Sequence, residues 1–271
     1  MSELAIRRPA LLDEEPAPTR SIGNRQILGS VLGGLLKNAL PDPGTRYQLL
    51  KSLWIEIKRY GAPHVKNVKL ADVIGTQSPL VEGRLLMNGS GPGANFRSAP
   101  LILAALAQVL RCQTIFEFGT YHGETAWTLT HNNPDARVFT LDFEDLDSAR
   151  SARLELTDPE YLQRWERGRE FVGTPEGGRI TQLFGDSATF DFSPYYHGMD
   201  LVYIDASHSY SYVRSDSQAA LKMLSAGGTI VWDDYTHYAG IYAYLNQLSP
   251  TLDRPIAHIL GTRLAIYRRP S

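Results

Sequence analysis

Three carboxylates follow two apolar runs of the sequence. Asp205 comes directly after Leu-Val-Tyr-Ile, and the pair Asp233 and Asp234 comes after Gly-Gly-Thr-Ile-Val-Trp. Short apolar runs of this kind predict buried parallel strands, and open α/β sheets bind ligands just beyond the carboxyl ends of such strands. We therefore expect the three acids to converge on one crevice. An N-cap aspartate with a polar turn is the alternative, but it explains only one of the acids.

A cation is expected beside these acids, because three close carboxylates repel each other unless a positive charge neutralises them. Hard oxygen ligands suit Mg²⁺, Mn²⁺ or Ca²⁺ better than zinc, so we predict a divalent site formed by Asp205, Asp233 and Asp234. His208 lies three residues after Asp205 and is the candidate general base, since imidazole transfers protons near neutrality. An N-cap or more distant supporting role is the alternative for His208, and His237 is the second candidate base.

A glycine turn follows another apolar run, at 114–118. Gly119 and Gly123 would let this turn tighten and let a ligand approach the backbone closely. A dinucleotide fingerprint would need glycine at positions 121 and 124, where the chain has Tyr121 and Glu124. This departure argues against NAD and against a pyrophosphate ligand.

Two further acids indicate what the turn would hold. Glu117 lies near the end of the apolar run, where it would repel a phosphate but could bind an ammonium group. Asp142 ends the next predicted strand and is placed to accept hydrogen bonds from ribose hydroxyls. Ribose without phosphate, together with an amino acid ammonium group, describes S-adenosylmethionine.

The elements that would position these residues alternate in the pattern of an α/β protein. Apolar runs predict strands, mostly with helical stretches between them, at 114–118, 137–141, 180–184, 201–204, 229–232 and 264–267. We predict a doubly wound, mostly parallel, seven-stranded Rossmann-like sheet that ends in an antiparallel strand. An insertion at about 145–178, with helices near 149–156 and 159–171, would shape the substrate side.

The region before this sheet is predicted to be helical. Residues 1–22 are rich in Pro, Glu and Arg and are interpreted as a mobile arm. Residues 23–98 form an N-terminal helical extension that ends in a glycine-rich loop at 87–95, which could be a lid or a plain linker. Residues 99–271 form the catalytic domain.

Composition excludes several function classes. The net charge of −2 gives no electrostatic footprint for nucleic acid. The longest apolar stretches, such as 101–106, fall far short of the roughly 20 residues that cross a bilayer. Cys112 is the only cysteine, which excludes an intrachain disulfide and fits a reducing compartment. We therefore expect a cytoplasmic protein without nucleic-acid or membrane partners.

From about residue 99 to residue 268 the chain resembles the class I S-adenosylmethionine-dependent methyltransferases. The run Glu-Phe-Gly-Thr-Tyr-His-Gly at 117–123 matches the turn that wraps the methionine part of the cofactor in that family. Asp142 matches the acid that binds the ribose, and Gly185-Asp186-Ser187 matches the segment beside the adenine. The cofactor-binding residues that the resemblance implies are Glu117, Gly119, Thr120, Tyr121, Gly123, Asp142, Asp186, Ser187 and Asp205.

Within that superfamily the three acids resemble the metal ligands of the divalent-metal-dependent O-methyltransferases. The first ligand and the following pair are separated by 233 − 205 = 28 positions, which is similar to the family spacing. His208 stands where catechol-type enzymes usually have lysine, so the chain is more similar to the bacterial members that methylate sugars and macrolides.

The resemblance implies a Mg²⁺-dependent transfer of a methyl group from S-adenosylmethionine to a hydroxyl of a sugar or glycosylated metabolite. Family precedent and a glycine-bearing first helix also predict a homodimer. The alternatives are methylation of a catechol-like phenol, a non-catalytic S-adenosylmethionine-binding protein, and a metal-dependent hydrolase or NAD enzyme on a similar sheet. Four tyrosines could form a sugar platform or serve helix packing, namely Tyr235, Tyr238, Tyr242 and Tyr244.

Overall fold

An eight-stranded sheet forms the centre of the described part of the chain. The structure is a computed structural model, and the residues that it describes are 33, 37, 41–75, 77–84, 98–156 and 166–271. The predicted arm at 1–22 and the predicted lid at 87–95 lie outside these ranges, as does the middle of the predicted insertion at 157–165.

The sheet is mostly parallel, as predicted. Its strands are β1 Lys66–Val68, β2 Thr114–Phe118, β3 Arg137–Asp142, β4 Ile180–Phe184, β5 Met199–Ile204, β6 Leu224–Trp232, β7 Ala257–Ile259 and β8 Ala265–Arg268. Their order is β1-β7-β8-β6-β5-β2-β3-β4. Only β8 is antiparallel to its neighbours, β6 and β7, among the described strands. The sheet has eight strands rather than seven, because β1 and β7 are three-residue strands, too short to show an alternating pattern.

Helices cover both faces of the sheet, which confirms the doubly wound architecture. The described helices are α1 Pro43–Gly61, α2 Leu70–Ile74, α3 Ser98–Leu110, α4 Glu124–Asn132, α5 Leu146–Arg150, α6 Tyr210–Met223 and α7 Ala239–Leu248. Successive side chains of a strand point to opposite faces. Accordingly, Phe116 and Phe118 pack in one buried cluster with residues of α6 and α7, whereas Ile115 packs in a second cluster with residues of α3 and α4.

The chain divides into two compact units, Met1–Trp54 and Ile55–Ser271. In the first unit, Asp42 caps the start of α1, because its carboxylate accepts from the Thr45 amide at 2.6 Å and from the Thr45 hydroxyl at 2.7 Å. The second unit contains the whole sheet. No helix in the described ranges is long and apolar enough to cross a membrane.

The insertion differs from its prediction. α5 begins at Leu146, because the Asp145 carboxylate accepts from the Ser148 amide at 2.7 Å and so caps the helix earlier than the apolar pattern indicated. Residues 166–174 form turns rather than the end of a helix. Gly168 and Gly173 adopt φ of +66° and +75°, a conformation that interrupts a right-handed helix.

Candidate active site

A cavity of about 200 Å³ opens at the carboxyl ends of β2, β3, β5 and β6. This is the edge at which open α/β sheets bind ligands. Eight of the residues predicted for the site line the cavity, namely Gly119, Tyr121, Asp142, Ser187, Asp205, His208, Asp233 and Asp234. Glu117, Thr120, Gly123 and Asp186 lie beside it without forming its wall.

The predicted metal ligands converge, with one change in the set. Asp205, His208 and Asp234 each offer one ligand atom, and these atoms lie within 4.8 Å of one another. The Nε2 atom of His208 is 3.2 Å from Oδ2 of Asp234. Asp233 does not belong to this group, although it lines the same cavity.

Asp233 instead supports its neighbours. Its Oδ1 accepts from the Asp234 amide at 2.7 Å, and its Oδ2 accepts from the Tyr203 hydroxyl at 3.0 Å and from Arg263 at 3.2 Å. The Tyr203 hydroxyl also lies 3.1 Å from Oδ2 of Asp205. Because one hydroxyl carries one proton, Tyr203 can donate to only one of these acids at a time.

Arg263 is a site residue that the sequence reasoning missed. It lines the cavity and holds the acid pair, with Nη2 3.2 Å from Oδ2 of Asp233 and Nη1 2.7 Å from Oδ1 of Asp234. Strand β8 explains its position, because an antiparallel strand begins at the edge where the parallel strands end. Trp232 pairs with Ala265 in this register, and the Tyr235 amide donates to the Arg263 carbonyl at 2.9 Å.

The two acids of the pair differ in charge environment. Burial and the charge of Asp234 raise the pKa of Asp233 above its usual value. Burial would also raise the pKa of Asp234, but the hydrogen bond to His208 and the charge of Arg263 outweigh it, so this pKa lies below the usual value. Asp234 is therefore the more readily ionised member of the pair.

Asp234 also adopts an uncommon backbone conformation, with φ of +57°. Left-handed conformations are rare for residues other than glycine, and they concentrate at functional sites. In this conformation the Asp234 side chain contacts His208 and Arg263. The sequence carries no signal for it beyond the acid itself.

The two candidate bases have different surroundings. His208 lies on the cavity wall and stacks on Tyr238, with ring centroids 3.8 Å apart and an interplanar angle of 11°. His237 is not among the wall residues, and its Nδ1 lies 3.1 Å from the Thr236 hydroxyl. The structure thus brings the His208 ring to the cavity wall, whereas His237 lies beside Asp234, with its amide donating to the Asp234 carbonyl at 2.9 Å.

The other tyrosines serve the core. Tyr235 is fully buried, and its hydroxyl accepts from Asn246 at 2.9 Å. Tyr242 stacks on Tyr235 with centroids 5.4 Å apart, and Tyr244 is 6% exposed. None of the four predicted tyrosines belongs to the cavity wall in the described ranges.

The glycine turn after β2 needs its glycines. Gly119 has φ of +94°, and a Cβ there would overlap the carbonyl oxygen of Asp205. Gly123 has φ of +85°, and a Cβ would lie 2.6 Å from the ring of Phe171. These two positions let the turn pass close to β5 and to the 166–174 segment.

That turn is joined by hydrogen bonds to both of its neighbours. The Tyr121 amide donates to Asp142 at 2.9 Å. On the other side, the amides of Gly168 and Glu170 donate to the carbonyls of Tyr121 and His122 at 3.1 and 3.0 Å. The segment from Gly168 to Phe171 therefore backs the turn directly.

Glu117 lies behind the turn and is 1% exposed. Burial raises the pKa of Glu117 to about 8, although the Thr140 hydroxyl donates to its carboxylate at 2.6 Å and opposes this rise. Thr120, predicted to contact the cofactor, lies within hydrogen-bond distance of Thr140 at 2.7 Å and accepts from Gln182 at 2.9 Å. A buried, uncharged carboxyl is poised to ionise when a cationic group arrives.

Asp142 lies on the wall where the ribose was predicted. Burial raises the pKa of Asp142, and the hydrogen bond from the Tyr121 amide and the nearby charge of Arg167 oppose that rise. The Nε atom of Arg167 is 3.8 Å from Oδ1 of Asp142.

In the segment predicted to lie beside the adenine, Ser187 and not Asp186 faces the cavity. The Asp186 carboxylate accepts from the Arg153 amide at 2.7 Å, from the Ala188 amide at 2.8 Å and from the Tyr212 hydroxyl at 3.0 Å. Both carboxylate oxygens of Asp186 thus hold the surrounding loops together.

The residues at the acid cluster fit a divalent cation. Two carboxylates and one imidazole have ligand atoms close enough to share an ion. Oδ1 of Asp234 is buried and lacks a well-oriented hydrogen bond within the described ranges, despite the nearby arginine. The charge of this oxygen is thus balanced by Arg263 at 2.7 Å rather than by a full set of aligned hydrogen bonds, which leaves it able to contact a metal ion.

Comparison with known proteins agrees with this geometry. Residues 116–235 match the family model described as a methyltransferase domain, a range that contains the glycine turn and all three acids. Over this range the chain is similar to a methyltransferase domain. This confirms the methyltransferase prediction and the fold expected from it.

Solved structures resemble this chain in fold. A structure described as a putative caffeoyl-CoA O-methyltransferase from Staphylococcus aureus is 14% identical, covers 82% of this chain and 99% of that chain, and has a TM-score of 0.50. The O-methyltransferase TomG from Streptomyces achromogenes, solved with S-adenosylmethionine, is 16% identical. The match covers 66% of this chain and 82% of TomG, with a TM-score of 0.47. At these identities the likeness concerns the fold alone.

A curated relative matches over a shorter stretch. The uncharacterized protein R132 of Acanthamoeba polyphaga mimivirus is 31% identical over 72 residues, which are 27% of this chain. The match spans 31% of the length of that relative.

Proposed function

We propose that this chain transfers the methyl group of S-adenosylmethionine to a hydroxyl oxygen of a small molecule, assisted by a divalent cation. The observation that carries the proposal is the shared cavity, which joins the glycine turn and Asp142 on one side to Asp205, His208 and Asp234 on the other. A methyl donor and a hydroxyl acceptor can meet there in line, and such alignment supplies much of the acceleration of a displacement.

The turn side of the cavity suits the donor. Asp142 would accept hydrogen bonds from the ribose hydroxyls, and Gly119 allows the methionine part to approach the backbone. Glu117, buried behind the turn, would ionise to pair with the ammonium group. Ser187 would lie at the adenine end of the cavity.

The acid side suits the acceptor. Asp205 and Asp234 would hold a divalent cation, which lowers the pKa of a bound hydroxyl and fixes its position. His208 would take the hydroxyl proton, and Asp234 at 3.2 Å would orient the imidazole and stabilise its charged form. Asp233 would keep Asp234, Tyr203 and Arg263 in place.

A sugar or glycosylated metabolite is our proposed acceptor class, because the chain has His208 where catechol-type enzymes have lysine. A phenolic acceptor is the second candidate, supported by the fold shared with the putative caffeoyl-CoA enzyme. A cytoplasmic homodimer that uses Mg²⁺ completes the proposal.

Two measurements test this function. Calorimetric titration with S-adenosylmethionine and S-adenosylhomocysteine should show micromolar binding, whereas NAD should show none. Transfer of a radiolabelled methyl group to a panel of hydroxylated sugars and catechols should then depend on added Mg²⁺ and stop with EDTA.

Substitutions at the acids sharpen the test. We expect Asp205→Asn and Asp234→Asn to lower methyl transfer by at least about a hundredfold, because each removes a charged ligand, while S-adenosylhomocysteine still binds. Asp147→Asn, at an exposed position, is the matched control and should retain wild-type transfer. Full transfer by Asp234→Asn, or in excess EDTA, would exclude the metal-assisted mechanism. Cofactor binding without transfer to any hydroxyl would favour a non-catalytic binding protein.

A further inference from the structure

Arg263 places a positive charge directly on the candidate metal ligand. Its guanidinium contacts both acids of the pair, with Nη1 2.7 Å from Oδ1 of Asp234 and Nη2 3.2 Å from Oδ2 of Asp233. The arginine side chain is 39% exposed, whereas the side chains of Asp233 and Asp234 are 4% and 9% exposed. The guanidinium therefore forms the open side of the acid pair and faces the cavity.

The two contacts of the guanidinium differ in kind. The contact with Asp233 is a hydrogen bond. The contact with Asp234 has a short distance, but Oδ1 of Asp234 lacks a well-oriented hydrogen bond within the described ranges. The attraction to Asp234 is thus mostly that of opposite charges, which a second cation at Asp234 can replace.

The arginine cannot leave the neighbourhood of the site, however. Its backbone is held by the Tyr235 amide, which donates to the Arg263 carbonyl at 2.9 Å, and by the pairing of β8 with β6. Asp233 retains the guanidinium through its own hydrogen bond. A divalent ion bound to Asp234 would therefore share that carboxylate with a fixed positive charge.

Charge counting gives the direction of the effect. Asp205, Asp233 and Asp234 contribute three negative charges, and Arg263 reduces their sum to two. Two cations that share a carboxylate repel each other, and the repulsion is little screened at a partly buried site. Asp234 also contacts His208 at 3.2 Å, so its orientation does not depend on Arg263 alone.

We propose that Arg263 is a resident cation that competes with the divalent ion for Asp234 and weakens metal binding by the site. Before the ion binds, the guanidinium keeps the acids from repelling each other and holds the site assembled. Once the ion binds, the same charge makes the ion exchangeable. This inference rests on the metal site that the proposed function places at Asp205 and Asp234.

Titration with Mn²⁺ alone tests the competition between Arg263 and the divalent ion without any acceptor. Electron paramagnetic resonance of the free ion measures the binding. Arg263→Met removes the charge and keeps an unbranched but shorter side chain, and we expect it to bind Mn²⁺ at least about tenfold more tightly than the wild type. Arg263→Lys keeps the charge and should stay within about threefold of the wild type. Arg254→Met, at an exposed position, has the same change in net charge and should bind Mn²⁺ as the wild type does.

Two controls make every outcome informative. Asp234→Asn reports whether the Mn²⁺ ion occupies the proposed site, and S-adenosylhomocysteine affinity reports whether each variant is folded. Arg263→Gln replaces Arg263→Met if the methionine variant does not bind S-adenosylhomocysteine.

The possible failures can be told apart. If Arg263→Met binds Mn²⁺ as tightly as the wild type or more weakly, while Asp234→Asn loses Mn²⁺ binding, the proposed competition is wrong and the metal site is retained. If neither the wild type nor the Arg263 variants bind Mn²⁺ saturably, although they bind S-adenosylhomocysteine, both the competition and the metal assistance in the proposed function are wrong.

Discussion

His208 stands where one side chain could fill either of two roles. Its imidazole is close enough to Asp205 and Asp234 to complete a metal site, and it is also placed to accept a proton beside them. A ring nitrogen bound to a metal cannot serve as a base at the same time. The stacking on Tyr238 fixes the ring plane in both cases, so geometry alone favours neither role.

Substitution of His208 distinguishes the two roles. For the base that we propose, His208→Ala should lower turnover by about 10² to 10⁴ while Mn²⁺ affinity stays within a few-fold of the wild type. Loss of Mn²⁺ affinity would identify a ligand instead. His64→Ala is the control, because His64 is exposed and lies outside the cavity wall, and it should keep the wild-type turnover.

The raised pKa of Glu117 predicts that the protein releases a proton when S-adenosylmethionine or S-adenosylhomocysteine binds. Its pKa of about 8 means that the carboxyl is mostly protonated in the free protein at neutral pH, whereas pairing with an ammonium group requires the ionised form. Affinity for S-adenosylhomocysteine should therefore rise between pH 6 and 8, by up to about tenfold per pH unit. Calorimetry in buffers of different ionisation enthalpy should show the release of one proton.

Glu117→Gln provides the comparison. The amide cannot ionise, so this variant should bind S-adenosylhomocysteine more weakly and release no proton at this site. An unchanged proton release in Glu117→Gln would assign the proton to another group.

At the scale of elements, the site depends on where strands begin and end. Apolar runs predicted β2, β3, β5 and β6, and an acid at the end of each run followed from their shared direction. Arg263 could not be found in this way, because its approach to Asp234 depends on the register of an antiparallel strand inserted between β6 and β7. Such a register is a long-range pairing that local sequence patterns do not encode.

Two other differences between the sequence-based predictions and the structure also arise from long-range or backbone geometry. Sequence order alone could not show that Asp186 accepts hydrogen bonds from Arg153 and from Tyr212 in α6 while Ser187 faces the cavity. Likewise, Asp233 and Asp234 are adjacent acids with different contacts, since Asp233 accepts from Tyr203 whereas Asp234, in a left-handed backbone conformation, contacts His208. Neighbouring residues of the same type carried no signal for that difference.

Gly119 in the glycine turn and Gly261 in the turn between β7 and β8 offer a matched pair of substitutions. Gly119 and Gly261 both have positive φ, of +94° and +81°, but a Cβ at Gly119 would overlap the Asp205 carbonyl whereas one at Gly261 meets nothing within 4 Å. Gly261→Ala should cost about 1 to 2 kcal/mol of unfolding free energy for the backbone strain alone. Gly119→Ala should cost about 1 to 3 kcal/mol more, because the turn must also move away from β5.

Urea unfolding measures both costs, and S-adenosylhomocysteine affinity measures the displacement of the turn. Only Gly119→Ala should weaken binding. Equal stability of the two variants would show that the turn relaxes without strain.

The whole molecule should respond to pH through its buried acids. Burial raises the pKa of Glu117 to about 8 and that of Asp216 to about 7, from usual values of 4.5 and 3.8. At pH values between the usual and the raised pKa of each carboxyl, the folded state binds more protons than the unfolded state. The free energy of unfolding therefore falls as pH rises through this range. The ligand-free protein should therefore lose stability steadily from about pH 5 to pH 8.

Thermal unfolding at a series of pH values checks this slope. Glu117→Gln and Asp216→Asn should each flatten it, and saturating S-adenosylhomocysteine should flatten the part due to Glu117. A stability that increases with pH over this range would mean that both carboxyls are already ionised in the folded protein.

The segment that backs the glycine turn contacts it without lining the cavity. The amides of Gly168 and Glu170 donate to carbonyls of Tyr121 and His122, and the Phe171 ring packs against Gly123. If the turn tightens around a ligand, these two amide protons should exchange with deuterium more slowly, although neither residue lines the cavity. Isotope exchange at Gly168 and Glu170 would then report occupancy of the cofactor site from its far side.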